Sequence, residues 1–318
     1  MFNSRHHRRE FLILLAAGAA GQPAFKTYTY KVAQKCDIKA DVHGADDTAR
    51  PCIFWIHGGA LIMGGRGLPR AGGRYPSLTD MFLQAGYVVV SIDYRLAPET
   101  KLPAIIEDVQ DAWKWVREKG PGLFRIDPAR IAVAGGSAGG YLTLMTGFSL
   151  NPRPRALVSL YGYGDIVGPW YSRPDPFYSQ APAVPKEEAW QAVGGAVVSE
   201  IPGGNNRGRF YLYCRQHGLW PREVAGHDPD AEPRFFDRFC PIRNVTAQDP
   251  PTMLIHGDKD TDVPYEQSVM MAKELARAGV RHEMFTIPDG GHGFGGSKPE
   301  VVLDAYERAL AFVTRTLR

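Results

Sequence analysis

The chain has 318 residues, with 37 Lys or Arg against 34 Asp or Glu and a formal charge of +3. Arg5, Arg8 and Arg9 against Glu10 supply +2 of that, so the rest is nearly neutral, without the basic stripe or basic-aromatic interleaving that nucleic-acid binding calls for. Four cysteines are too few for a disulfide scaffold, no Cys-x-x-Cys suggests zinc, and a chain this long can bury a core without staples.

In chain order, residues 1–24 read as an export signal of twin-arginine type. Arg8-Arg9-Glu10-Phe11-Leu12 leads into the apolar run Phe11 to Ala20, with small residues at Ala17-Gly18-Ala19. That run is too short to span a bilayer. The expectation is a periplasmic or secreted protein with no stable membrane insertion, whose residues 25–318 form a single domain.

Apolar, β-branched runs follow at Cys52 to Ile56, Tyr87 to Ile92, Arg130 to Ala134, Ala156 to Tyr161, Thr252 to His256 and Glu283 to Ile287. Such runs predict strands buried on both faces of a mostly parallel sheet. Between them, Val109, Ala112, Trp113 and Val116 share one helical face, and Gly120-Pro121 is expected to end that helix. A last helix carries Val302, Tyr306, Ala309, Leu310, Val313 and Leu317, and Ser297-Lys298-Pro299-Glu300 has the spacing of a capping box at its start. Alternating strands and helices predict the α/β class, with helices on both faces of the sheet.

The alternation lapses from Tyr163 to about Asp249, where prolines crowd and Gly203-Gly204-Asn205-Asn206 reads as a turn. This stretch, about 163–249, is expected to be an inserted lid. Its aromatics, among them Trp170, Tyr171, Tyr178, Tyr211 and Trp220, would pack it onto the sheet and line an apolar pocket. Cys36 and Cys52 read as small buried hydrophobes, whereas Cys214 and Cys240 bracket a loop-rich stretch and could pair in an oxidising compartment.

Chemistry concentrates in three places. Gly135-Gly136-Ser137-Ala138-Gly139-Gly140 lies between a strand pattern and a helix pattern, which makes it a candidate nucleophile elbow with Ser137 exposed above the sheet. A serine nucleophile needs a base, a group that orients the base, and amide donors for the oxyanion. His292, in the glycine-rich loop Pro288 to Phe294 after the last strand, is the candidate base. The loop after the preceding strand offers Asp258, Asp260 and Asp262 as the orienting acid, with Asp165 a more distant rival. An Asp-x-Asp-x-Asp calcium loop is disfavoured, because Val263 and Val269 stand where glycine and glutamate are required. His57-Gly58-Gly59-Ala60, directly after the first apolar strand, suggests oxyanion donors at Gly58, Gly59 and Ala60, joined by the amide of Ala138; His57 reads as structural.

The segment Leu254 to Pro264 resembles the His-Gly-x-x-Asp-x-x-Val-Pro pattern of serine hydrolases, and that resemblance selects Asp260. With His57-Gly58-Gly59, the run Asp93-Tyr94-Arg95-Leu96-Ala97-Pro98-Glu99, the Ser137 elbow, Asp260 and His292 in this order, the chain from residue 27 onward resembles a hormone-sensitive-lipase-like carboxylesterase of the α/β-hydrolase fold. Ala60, where many members carry a third glycine, departs from that pattern but leaves the amide available; a lid placed after the nucleophile helix and the following strand departs from it too, and in that respect the chain leans towards compact acyl esterases. The resemblance implies a Ser-His-Asp serine esterase acting through an acyl-enzyme on short-chain, acetyl or aryl esters, free or polysaccharide-linked. It implies no cofactor and no metal, and gives the Asp93–Glu99 run a bracing role. A prolyl-oligopeptidase-type peptidase and a noncatalytic ligand-binding protein on the same fold are the competing readings.

Overall fold

The apolar runs become the middle of one eight-stranded sheet. A computed structural model describes residues 25–69, 76–201 and 206–318; the export segment and most of the 203–206 turn lie outside the described residues. The strands are β1 (Phe25–Ala33), β2 (Cys36–His43), β3 (Arg50–Ile56), β4 (Val88–Ile92), β5 (Ile126–Gly136), β6 (Ala156–Leu160), β7 (Thr252–Gly257) and β8 (His282–Ile287). Their order is β1-β2-β4-β3-β5-β6-β7-β8, parallel from β4 onward, with β1 and β2 antiparallel at one edge.

The helices are α1 (Leu78–Gln84), α2 (Leu102–Phe124), α3 (Ala138–Ser149), α4 (Pro169–Ser172), α5 (Lys186–Gln191), α6 (Arg207–His217), α7 (Trp220–Ala225), α8 (Pro241–Asn244), α9 (Glu266–Arg277) and α10 (Pro299–Thr316). Side chains alternate across a strand, so β3 divides its residues between two cores. Ile53 and Trp55 meet Phe82 of α1 and Val302 and Phe312 of α10 on one face, while Phe54 and Ile56 join Val109 and Trp113 of α2 and Tyr141 of α3 on the other. Helices thus cover both faces, and α4 to α8 all fall between β6 and β7.

One element goes unannounced in the sequence, and three local expectations are corrected. The β1–β2 hairpin has no apolar run to announce it: β1 is a largely exposed edge strand, tied down through Tyr28, whose ring lies 5.7 Å from Trp115 and 5.9 Å from Phe124. Helix α2 does not stop at Gly120-Pro121 but continues to Phe124, where Arg125 closes it at φ 54°. Burying Phe124 is worth about 1.5–3 kcal/mol, enough to offset most of the ~3 kcal/mol cost of a proline inside a helix. The capping box of α10 does not form, because Pro299 takes the first helical position and Lys298 the cap, leaving the Ser297 hydroxyl to donate to the Pro288 carbonyl at 3.4 Å. Cys214 and Cys240 are not bonded; all four cysteines are free and buried.

In a parallel sheet every strand ends on the same edge. The loops after β3, β5, β7 and β8 therefore converge at the carboxyl edge, where open α/β sheets bind ligands.

Candidate active site

Ser137 links β5 to α3 in a turn so tight that its own backbone sits at φ 57°, ψ −124°, outside the helical region. Gly139 shows why the flanks must be small: a Cβ there would lie 2.1 Å from the Ile56 carbonyl oxygen. The Ser137 amide donates to the Leu160 carbonyl at 2.9 Å, which pins the elbow to β6. Strain of this kind persists only where the surroundings over-determine it.

His292 stands over the serine. Its Nε2 lies 3.0 Å from Ser137 Oγ and its Nδ1 lies 2.8 Å from Asp260 Oδ2. A carboxylate can only accept, so Nδ1 carries the proton and the Nε2 lone pair faces the hydroxyl. Asp260 is fully enclosed: Oδ1 accepts the amides of Asp262 and Val263, both at 2.9 Å, and Oδ2 also lies 3.3 Å from Nε2 of buried His256. Burial alone would raise its pKa, but the hydrogen bonds from His256 and His292, the ring charge of His292 and the Val263 amide outweigh burial and hold the carboxyl well below its ordinary range. The reverse holds at His292, where burial favours the neutral ring but the bond to Asp260 and the charges of Asp262 and Asp260 prevail, so its pKa is raised. Such a group can draw a proton from Ser137 and keep the resulting imidazolium stable.

The loop after β3 faces the same hydroxyl. Gly59, at φ 105°, turns it so closely that a Cβ would lie 2.1 Å from the Met63 carbonyl oxygen, and Ala60 follows in the left-handed region at φ 56°. The Ala138 amide, first in α3, belongs to the set that has no partner within a helix. Three contacts hold the loop: the Tyr94 hydroxyl donates to the His57 carbonyl (2.9 Å), the Ala97 amide to the Leu61 carbonyl (2.8 Å), and Trp220 Nε1 of α7 to the Ala60 carbonyl (2.9 Å). His57 stacks on Tyr94 with ring centroids 4.3 Å apart, and burial depresses its pKa to about 4, so it is a neutral filler.

A cavity of about 460 Å³ opens above Ser137 and His292, walled in part by Trp55, Met63, Tyr161, Tyr211 and Asp262. Asp262 Oδ1 accepts from the hydroxyls of Tyr178 and Tyr211 and from Arg215 (2.7 Å), while Oδ2 lies 3.4 Å from His292 Nε2. Arg215 is 1% exposed, pairs also with Asp175, and stacks over Tyr178 at 4.5 Å and Tyr171 at 5.0 Å. Among the described residues no group of His, Cys, Asp and Glu is arranged to hold a metal ion, and no helix is long and apolar enough to cross a membrane.

Residues 37–158 match the family model BD-FAE, and residues 196–318 match the prolyl oligopeptidase family. Esterase LipC of Mycobacterium tuberculosis is 31% identical, the alignment covering 77% of this chain and 53% of LipC. Non-reducing polyketide synthase trt4 of Aspergillus terreus is 27% identical over 89% of this chain but 14% of its own length. The chain thus spans about half or less of these curated relatives. The hyperthermophilic esterase of the archaeon Pyrobaculum calidifontis superposes with a TM-score of 0.65 at 23% identity, over 93% of this chain and 87% of that one. This chain belongs to the esterase-like α/β-hydrolases.

Within this α/β-hydrolase fold, Ser137, His292 and Asp260 come together as one hydrogen-bonded chain, with Gly58, Gly59 and Ala60 on the cavity wall and Ala138 behind the serine. Two of the rival acids fall elsewhere. Asp165 caps the Val167 amide near Cys240, and Asp258 accepts the Asp289 amide at 2.8 Å. Asp262 neither faces solvent nor bonds only locally, as its place beside Asp260 suggests; it joins the cavity to the inserted helices. The aromatics of the insertion mostly pack on one another, Trp170 on Tyr171 (3.8 Å) and Tyr171 on Trp220 (4.1 Å), and among the described residues Tyr211 is the one that reaches the cavity wall. The sequence places His256 in the motif but does not announce its contact with the acid, and it misses the wall Met63 to Pro69, for which the glycines at 64, 65 and 67 are a signal.

Proposed function

We propose that this hydrolase is a serine carboxylic-ester hydrolase working through an acyl-enzyme. Ser137 Oγ attacks the ester carbonyl as its proton passes to His292 Nε2, and Asp260 holds the imidazolium. The oxyanion that forms draws on the amides of Ala138 and of the Gly58–Ala60 loop, one such donor being worth about 3 kcal/mol. Collapse breaks the ester C–O bond, His292 returns its proton to the leaving alcohol, and a water activated by the same nitrogen releases the acid and restores the serine.

The observation that carries this reading is the 3.0 Å contact between Ser137 Oγ and His292 Nε2 on the floor of an open cavity. The name of LipC, an esterase, supports an ester as the substrate, and a wall of Trp55, Met63 and Tyr161 is compatible with short-chain, acetyl or aryl acyl groups. The match of residues 196–318 to the prolyl oligopeptidase family sustains a peptidase as the second reading. Arg8-Arg9 and the apolar run after them support export, which N-terminal sequencing of the mature protein tests.

Hydrolysis of p-nitrophenyl acetate, butyrate and octanoate, beside a peptide p-nitroanilide, separates the two. The wild type is expected to turn over the short esters, and Ser137→Ala to lose a factor on the order of 10⁴ or more. Equal ester rates for the two proteins would refute the serine mechanism, and preference for the anilide would favour the peptidase.

A further inference from the structure

Asp262 has no part in the relay just described, yet it sits beside its reacting end. Asp260 takes Nδ1 of His292; Asp262 approaches the other nitrogen, with Oδ2 3.4 Å from Nε2. A carboxylate next to a nucleophile is electrostatically awkward, since the oxyanion forms close by. The chain nevertheless secures it with three donors, Tyr178, Tyr211 and Arg215, all on Oδ1. Arg215, almost wholly buried, adds a bond to the Asp262 carbonyl at 3.0 Å and an ion pair to Asp175, so the carboxylate cannot swing away. Oδ1 is filled; what the rigid carboxylate turns towards Nε2 is Oδ2.

The geometry points to Asp262 as a specificity residue that accepts a hydrogen bond, through Oδ2, from a hydroxyl on the carbon next to the esterified oxygen of the leaving alcohol. The inference rests on the esterase reading and deepens it. To receive its proton the leaving oxygen must come within roughly 2.6–3.2 Å of His292 Nε2. A hydroxyl one carbon further on, gauche to that oxygen, then falls beside Nε2, where Oδ2 already stands. A carboxylate accepts and cannot donate, so the site distinguishes a hydroxyl from an ether at that position. The substrate class is the monoacyl ester of a vicinal diol, and the donor can be any neutral hydroxyl, because the Arg215 cation lies behind Oδ1 and offsets the charge.

The test compares 2-hydroxyethyl acetate with 2-methoxyethyl acetate, which share the acyl group and have similar leaving groups but differ in the donor. The readout is the ratio of their kcat/KM values. A hydrogen bond to a charged acceptor sets the expected preference of the wild type for the hydroxy ester at about tenfold or more. Asp262→Asn, whose amide can turn a donor to the cavity, is expected to bring the ratio close to one, whatever rate it loses on both esters through its effect on His292. A wild-type ratio near one overturns the assignment without recourse to any variant, and so does a ratio that survives in a folded Asp262→Asn protein. p-Nitrophenyl acetate, which carries no such hydroxyl, separates the two failures: its turnover with a ratio near one sinks only the role of Asp262, whereas inertness to all three esters sinks the esterase reading with it.

Discussion

The loops at the carboxyl edge of the sheet and the inserted helices α4 to α8, which reach the same cavity through Tyr211, are held by different means. On the sheet side the ties are mostly to backbone: Asp260 accepts amides two and three residues on, and the elbow hangs from the Leu160 carbonyl. On the inserted side they are long-range and made by side chains. Arg215 reaches Asp262, Arg207 pairs with Glu99 and bonds the Ala97 carbonyl at 2.8 Å, Lys101 bonds the Glu223 carbonyl at 2.7 Å, and Trp220 bonds the Ala60 carbonyl. The turns that carry Ser137 and Asp260 are thus set largely by backbone bonds and glycines. The insertion that brings Tyr211 to the cavity depends on a handful of charged and aromatic anchors.

Changes on the two sides should separate chemistry from architecture. Asp260→Asn is the largest test of the sheet side, expected to lower kcat by about 10⁴ because an amide no longer enforces the Nδ1–H tautomer. It also tests the electrostatics. His292 must be neutral to take a proton, so activity rises with pH through its pKa, which in the wild type stands above the usual 6.5. Loss of the Asp260 charge should move that limb to lower pH in the residual activity, and an unmoved limb would show that Asp262 sets it instead.

Arg215→Met comes next and bears on the inserted side. Removing the cation leaves Asp175 and Asp262 partly buried without their partner, a loss of about 3–5 kcal/mol of stability for such pairs. A lower denaturant midpoint is expected. An unchanged midpoint would mean that the stacked rings of Trp170, Tyr171 and Trp220 hold the insertion on their own. The smallest effect is expected from Trp220→Phe, which keeps the ring stack but withdraws the donor from the Ala60 carbonyl. Loss of one neutral hydrogen bond, about 1 kcal/mol, should lower kcat by several-fold through a looser oxyanion loop. If kcat holds and only stability falls, the bond serves the insertion and not the oxyanion site.

The same division explains what could be read from the sequence. The six apolar runs and the Gly-x-Ser-x-Gly turn are local patterns, and each predicted core strand lies within a few residues of its run. The Asp93–Glu99 segment was legible only by resemblance, but the contacts of Tyr94, Ala97 and Glu99 give its bracing role a physical basis. Local rules failed where a distant partner decides. Pro121 is carried over by the burial of Phe124, and Ser297 is drawn away by the Pro288 carbonyl. Asp260 and Asp262 are told apart in the sequence by resemblance alone; in the structure distant partners set their uses apart, His292 on Asp260 and Tyr178, Tyr211 and Arg215 on Asp262.

The four separate thiols carry a consequence of their own. None is braced by a disulfide, and burial pushes the Cys52 and Cys214 thiols well up and Cys240 to about 12, so these three should be deaf to alkylating reagents in the folded protein, while Cys36 is screened by burial alone. They sit in different territories: Cys36 in the edge hairpin, Cys52 in the central sheet, Cys214 in α6 and Cys240 just before α8. Each is therefore a silent clock for its own neighbourhood, started only when that part of the molecule comes open, and the order in which they begin to tick would tell whether the wall of the cavity parts from the sheet before the sheet itself gives way.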